Sequence, residues 1–294
     1  MPLTHVRTFR IRHYECDAYG YLHHANHLRY MQEAAFDASA AAGYDMARYV
    51  AMDRHWLIRE TEIEHMQRLR YGDLVEITTY VADFRRIRSR RAYDFRLPGR
   101  EELVARALTD WVFLESSSGR PASIPEEMKT AFFPEGPPWP APPRTRLPPA
   151  PHPPPGAFQV RRSVRWQDLD SAHHVNNAMY LAYVEECGVG AVTDCGWPPV
   201  RMAHEGFTLE GQQHRIEYRL PALLGDELVL TMWLSGVQET EVVRHCTIHR
   251  FGDGALLAQA RTAWATVDAG TRQPIAIPEA LLTSLSPQIA EAVS

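Results

Sequence analysis

The chain has 294 residues, 45% of them hydrophobic and 23% charged, with a formal net charge of −5. That length calls for two cores rather than one, and the negative balance excludes general nucleic-acid binding, which needs a basic field. No apolar run is long enough to span a membrane, so no membrane partner is expected.

The start, MPLTHVRTFRIRHYE, lacks the apolar core of a secretory signal, and Cys16, Cys187, Cys195 and Cys246 make no CxxC pair, which fits a reducing cytoplasm. TFRIRHY, residues 8–14, predicts a short strand that leads into an acidic turn at Asp17. An apolar run at helical spacing follows (Leu28, Met31, Ala35, Phe36) and stops near Gly43, where glycine supports a left-handed cap. Four alternating segments come next: LIRETEIEHM, DLVEITTYVADF, SRRAYDFRL and ELVARALTDWVFLE. Their β-branched and aromatic content, punctuated by glycine turns, reads as an antiparallel sheet. One long helix plus about five strands is an α+β unit, with the sheet wrapped round the helix.

The pattern then repeats. Shifting the sequence by 153 residues aligns Arg12 with Arg165 and runs without a gap to Thr130 and Thr283. Asp17/Asp170, Ala25/Ala178, Tyr30/Tyr183, Glu33/Glu186, Glu64/Glu217, Gly72/Gly225 and Trp111/Trp264 are among the identical pairs. Each copy is far longer than a solenoid repeat, so this is a duplicated domain. The second copy begins with the strand QVRRSVRW, continues in a helix carrying Leu181, Val184 and Val189, and stops that helix near Gly196. Between the copies, twelve of the chain's 22 prolines fall between Pro134 and Pro155. Such a segment favours extended polyproline II and acts as a semi-rigid spacer. The predicted organisation is therefore an N-terminal domain over 1–133, a Pro-rich linker over 134–157 and a C-terminal domain over 158–294.

The duplicated turn-to-helix segment carries the chemistry. ECDAYGYLHHANHLRYMQEA resembles the signature of 4-hydroxybenzoyl-CoA-type thioesterases, and DLDSAHHVNNAMYLAYVEE resembles the HVNN signature shared with the acyl-ACP thioesterases. Both groups have the hotdog fold. The resemblance covers the chain outside the linker and implies two tandem hotdog domains that pair as an intramolecular pseudo-dimer, with the active site at their seam. It implies hydrolysis of acyl-CoA or of a thioester on acyl carrier protein, with no metal and no cofactor beyond the CoA of the substrate. The partners expected are acyl-CoA or acyl carrier protein, and the assembly a monomeric pseudo-dimer or a homodimer of it. Two other hotdog classes stand as alternatives: a hydratase/dehydratase, whose motif is not visible, and a non-catalytic acyl-CoA-binding module.

Hydrolysing a thioester takes a carboxylate, as nucleophile or as base for water, and donors aimed at the developing oxyanion. By resemblance Asp17 and Asp170 take the carboxylate role. The first amides of the helix, near His24 and Asn177, would polarise the carbonyl. His23, His174 and Asn176 are further oxyanion or substrate-binding candidates, and Glu64 and Glu217 resemble supporting acids on the following strand. A second reading stands beside this one: each aspartate caps its turn, and each glutamate is an outward strand residue. The copies differ, since His173 replaces Gly20, Tyr21 replaces His174, and Ala172 stands where the acyl-ACP pattern has Asn.

Three more groups carry residue types that could serve a site. His23, His24 and His27, with His173 and His174, lack the spacing of a metal site such as HExxH. Cys16 has Leu169 as its counterpart, so chemistry common to both copies cannot use it. Arg85, Arg86, Arg88, Arg90 and Arg91 suit the phosphates of CoA or an acidic carrier, whereas the second copy has Glu239, Glu241 and only Arg244 there. That run, together with Gly20, makes Asp17 the preferred catalyst of the two. Tyr30, Met31 and Tyr183 are candidates to line an acyl tunnel or to fill the core.

Overall fold

The computed structural model describes residues 1–136 and 147–291, so the middle of the Pro-rich linker, 137–146, lies outside the described residues. The chain divides into two compact units, Met1–Arg146 and Leu147–Ser294.

The N-terminal unit begins with strand β1 (Thr4–Arg10) and a short 3-10 turn at His13–Glu15. Helix α1 (His24–Ala41) and the short α2 (Met46–Ala51) follow. Strands β2 (Arg54–His65), β3 (Leu74–Phe84), β4 (Arg88–Arg96) and β5 (Leu103–Glu115) come next, and α3 (Glu126–Phe132) closes the unit. The strands pair antiparallel in the order β1-β3-β4-β5-β2, and α1 packs on β1 and β3. Ala25, Leu28, Met31, Ala34, Ala35 and Ala38 form the buried stripe of α1. Their spacing keeps them on one side of the helix, and the four alanines among them let the sheet approach.

The C-terminal unit repeats this plan: β6 (Phe158–Ser163), a 3-10 turn at Trp166–Asp168, α4 (Asn177–Asp194) and α5 (Pro199–His204). Then come β7 (Phe207–Tyr218), β8 (Glu227–Ser235), β9 (Glu241–Arg250), β10 (Leu256–Asp268) and α6 (Glu279–Leu285). The strand order is β6-β8-β9-β10-β7, antiparallel throughout.

The duplication extends to irregularities. The register of β2 on β5 slips between Ile58 and Glu60, and that of β7 on β10 slips between Gly211 and Gln213, at equivalent positions. Gly43 and Gly196 end the two long helices at φ 82° and 83°, a conformation that glycine adopts without strain.

Two expectations change. The first strand lies earlier than TFRIRHY implied, because His13–Glu15 already turns. Its cause is the Glu15 side chain, which accepts the Arg12 amide at 2.8 Å and so folds the chain back. Phe36 and Val189, counted as inward helix residues, are 41% and 47% exposed. They occupy equivalent positions on the outer side of α1 and α4, so the apolar run of each long helix is only partly buried.

Candidate active site

In the C-terminal unit the chain after Asp168 makes a tight turn. Asp170 N–H donates to the His174 carbonyl at 3.1 Å, and His173 N–H donates back to Asp170 O at 3.0 Å. The turn ends where α4 begins. Asn176 is its cap: Ala178 N–H donates to the Asn176 side-chain oxygen at 2.9 Å, which satisfies one of the amides a helix start leaves unpaired. The other half of that side chain faces the acid, and Asn176 Nδ2 donates to Asp170 Oδ2 at 3.2 Å. Asp170 Oδ1 accepts Ala172 N–H at 2.9 Å and lies 3.8 Å from His174 Nδ1. His174 Nδ1 is also 3.2 Å from the Val175 carbonyl. A carbonyl only accepts, so Nδ1 is the donor there, the tautomer that leaves Nε2 as the ring's acceptor. Both side chains are about one-fifth exposed (21% for Asp170, 22% for His174), open to solvent but held.

Hydrogen bonds tie the turn to the segments around it. Val175 N–H donates to the Ala222 carbonyl at 2.9 Å, and Ala222 N–H donates to the Tyr180 hydroxyl at 3.0 Å. Burial pushes the Tyr180 phenol up to about 12. Tyr218, on β7, donates to the Asn177 carbonyl at 3.1 Å. A carboxylate, an imidazole and the positive end of a helix dipole are thereby fixed together.

The N-terminal unit makes the same turn with different contents. Asp17 Oδ1 accepts two backbone amides, Tyr19 at 2.9 Å and Tyr21 at 3.1 Å, which closes an Asx-type loop. His23 caps α1 through Nδ1, which accepts Ala25 N–H at 3.2 Å. His24 opens the helix but is buried, and its Nε2 is 2.8 Å from Arg68 Nη1. Since a guanidinium only donates, Nε2 is the acceptor there, and a cation at this nitrogen would have to displace Arg68. His65, which the sequence reading missed, sits with its ring 4.5 Å from His24 and 4.7 Å from His27. Tyr21, in the place of His174, receives Arg70 at 3.0 Å.

The glutamates stand apart from these turns. Along β2, Ile63 and His65 are buried and Glu64 is exposed; along β7, Ile216 and Tyr218 are buried and Glu217 lies between them. Strand alternation sends both glutamates to the face opposite the residues that reach the helix start. Glu217 accepts Gln259 Nε2 at 2.6 Å and Arg219 at 3.3 Å on that outer face. The residues in the supporting position are His65 and Tyr218, one step along. The period-two signal was legible in the alternation of Ile63, His65 and their counterparts.

Nor do the five arginines form one patch. Arg90 pairs with the buried Asp83 at 2.9 Å and Arg88 with Asp110 at 3.1 Å. Arg91 is buried, its guanidinium 5.6 Å from the Phe132 ring centroid, and burial lowers its pKa. Only Arg85 and Arg86 of the run are exposed. Tyr30 stacks on Phe9 at 4.4 Å and donates to Glu15 at 2.5 Å, and Met31 is buried, so both fill the core.

Two units, each of five antiparallel strands holding one long helix that starts just after an acidic turn, define a double hotdog protein. Residues 2–132 match the model of the acyl-ACP thioesterase N-terminal domain, and residues 164–285 match that of the thioesterase-like superfamily. Each unit thus matches a thioesterase family model over most of its own length. The chain is 24% identical over 267 residues to the palmitoyl-acyl carrier protein thioesterase of Cuphea hookeriana, across 88% of this chain and 61% of that protein. The chain spans about three-fifths of the length of the curated relatives it matches first. Its fold is that of the 12:0-ACP thioesterase from Umbellularia californica (TM-score 0.71, 23% identity, 90% of this chain and 94% of that one). It is also that of an acyl-ACP thioesterase from Bacteroides thetaiotaomicron (TM-score 0.69, 14% identity, 89% and 97%).

Proposed function

We propose that the chain hydrolyses acyl thioesters, with the acyl-carrier-protein form as its substrate, at the turn-to-helix site of the C-terminal unit. The observation that carries this reading is the grouping of Asp170, Asn176 and His174 at the start of α4. The carrier-protein form is favoured by the activities for which the relatives are named rather than by any residue here.

In the reaction proposed, His174 Nε2 takes a proton from water as the water oxygen attacks the thioester carbonyl. Asp170 steadies the imidazolium that forms. The carbonyl oxygen, now negative, faces the first amides of α4, with Asn177 N–H the leading donor. When the carbon–sulfur bond breaks, the imidazolium returns its proton to the departing thiolate, leaving free acid and thiol. This reading moves the weight from Asp17 to Asp170. Asp17 spends its oxygen on two loop amides and has no imidazole at the position of His174.

Free-thiol release from acyl-ACP and acyl-CoA panels tests it. His174→Ala and Asp170→Asn are expected to lose about 10²-fold or more in kcat, the usual scale for a general base, while Asp17→Asn keeps most of the rate. Equal losses at Asp17 and Asp170 would assign chemistry to both units. No turnover on any substrate, with acyl-thioester affinity retained, would make the protein a binding module instead.

A further inference from the structure

The loop from Arg219 to Asp226, between β7 and β8, carries three leucines that stay outside the core. Leu220, Leu223 and Leu224 are 48%, 47% and 52% exposed, while Ala222 among them is fully buried. Trp166, in the 3-10 turn before α4, is 76% exposed. Val164 N–H donates to the Asp226 carbonyl at 2.9 Å, which ties that turn to the end of the loop. The counterparts of Trp166 and Leu224 in the N-terminal unit, His13 and Tyr71, have their rings 5.7 Å apart, edge to face. Trp166 and the leucines are therefore neighbours on one surface. Isolated exposed apolar residues are ordinary, but a cluster of large ones marks a contact surface.

The duplication shows that the loop does not need them. In the C-terminal unit Asp226 N–H donates to the Leu223 carbonyl at 3.0 Å, Leu223 N–H to Asp226 Oδ2 at 2.9 Å, and Val175 N–H to the Ala222 carbonyl at 2.9 Å. The N-terminal unit makes the same three bonds, from Asp73 to Arg70 at 3.1 Å, Arg70 to Asp73 Oδ2 at 2.7 Å and Leu22 to Leu69 at 2.8 Å. There Gln67, Arg70 and Tyr71 take the places of the three leucines, and His13 that of Trp166. One backbone thus accepts either set, and the apolar set stands beside the turn of Asp170 and His174. Nearby charge is uneven too. Asp226 and Asp253 pair with Arg250, and Glu217 pairs with Arg219. Arg165, next to Trp166, and Arg161, whose guanidinium lies 3.8 Å over the Phe251 ring, are exposed. Neither forms an ion pair among the described residues. With Glu227 as the one acid left beside them, the rim is net positive.

We propose that Leu220, Leu223, Leu224 and Trp166 are the seat of the acyl carrier protein, with Arg161 and Arg165 meeting its acids, an assignment that rests on the hydrolytic reading of the adjacent turn. Val175, whose amide is bonded to the leucine loop, follows His174 directly. A protein standing on the leucines is thereby held at the residues that would act on its thioester. The occupant has to cover four separate side chains, be apolar where it meets leucine and be acidic where it meets arginine. An acidic carrier protein meets all three demands. Coenzyme A has no protein surface to place there, so the patch favours the carrier-bound thioester over the CoA one. Contacts made before the chemical step and kept through it lower KM and leave kcat alone.

Acyl-ACP and acyl-CoA bearing the same acyl chain are compared as substrates. Leu223→Glu with Leu224→Glu sets two negative charges where an acidic carrier would sit. The expected result is a KM for acyl-ACP raised about tenfold or more, with kcat and both acyl-CoA constants within about twofold. Arg161→Glu with Arg165→Glu should raise the same KM and flatten its dependence on salt. An unchanged KM for acyl-ACP in the folded variants would overturn the inference. So would an equal loss on both substrates, which would assign the loop to the shape of the turn. If wild type hydrolyses neither thioester, the hydrolytic reading fails on its own, and calorimetry with holo-ACP decides the seat. Binding by wild type that both variants lose supports it; no binding by wild type overturns it. Flotation with phosphatidylglycerol vesicles and light scattering test the other occupants. Vesicle binding or a dimer that the leucine variant abolishes, beside an unchanged KM for acyl-ACP, would give the surface to lipid or to a second copy instead.

Discussion

Asn176 donates its side-chain amide to Asp170 at 3.2 Å while its side-chain oxygen caps α4. One residue thus couples the acid to the helix start, and its two roles separate by substitution. Asn176→Ser keeps a good cap and loses the amide; Asn176→Asp keeps the cap and sets a second negative charge beside Asp170. Both are expected within about 1 kcal/mol of wild type in stability, since cap-to-cap exchanges cost little. The thioesterase rate should fall, about tenfold for Ser and further for Asp. Thermal unfolding alongside kcat checks this; a rate that follows stability alone would reduce Asn176 to a cap.

Glu217 gives a prediction of the opposite kind. Its carboxylate lies on the outer face of β7 with Gln259 and Arg219, so Glu217→Gln should change kcat no more than about twofold, as remote surface substitutions usually do. Tyr218→Phe, on the inner face, removes the bond to the Asn177 carbonyl and should lower the rate with a small loss of stability, about 1 kcal/mol. If Glu217→Gln alone abolished turnover, the placement of the site on the helix side of the sheet would be wrong.

The sequence made the repeat, the strand run and the helix ends legible because each rests on local chemistry. Glycine at 43 and 196 answers a backbone angle, and alternation answers the pleat. What it hid depends on parity and on partners. Glu64 and Glu217 resemble supporting acids by motif position, with an outward strand role as the alternative, and the buried neighbours at 63, 65, 216 and 218 favour the outward one. The arginine run looked like one surface, but a strand splits any run between two faces, and aspartates 83 and 110 are far off in sequence. The proposed preference for Asp170 over Asp17 rests on detail of the same kind. Which amides a carboxylate accepts is set by the loop, and Tyr21 against His174 was the visible clue.

His173 holds φ 62° where the N-terminal unit has Gly20 at φ 81°. A left-handed backbone costs a residue with a Cβ roughly 1–2 kcal/mol, although histidine is among those found there more often. His173→Gly relieves that strain and adds unfolded-state entropy of roughly 0.5–1 kcal/mol on the other side. The expected balance is a gain of up to about 1 kcal/mol, seen as a rise of a few degrees in Tm. Gly20→Ala, with no atom within 4 Å of the new Cβ, should lose about 1 kcal/mol through backbone strain alone. A fall in Tm for His173→Gly would show that the imidazole makes a contribution greater than the strain.

His245 sets a pH dependence whose sign can be worked out. The ring is buried on β9, stacked on Trp233 with centroids 5.4 Å apart, and its Nε2 is 2.8 Å from Ser235 Oγ. Burial first, then the charge of Arg261, push its pKa from 6.5 to about 4. The folded state therefore keeps His245 neutral at a pH where the unfolded chain has already bound a proton. The unfolded state binds more protons between pH 6.5 and 4, so stability falls as pH drops through that window and this contribution levels off below it. Allowing for partial solvent screening, the loss is about 1–2 kcal/mol. Carboxylates titrate at the lower edge of the same range, so the comparison must be with His245→Gln, which can still reach Ser235 but does not ionise. Denaturant unfolding at pH 7 and pH 4.5 should show wild type losing about 1 kcal/mol more than the variant between the two conditions. Parallel losses in the two proteins would mean that His245 is protonated in the folded state as readily as in the unfolded one, and that its burial does not hold it neutral.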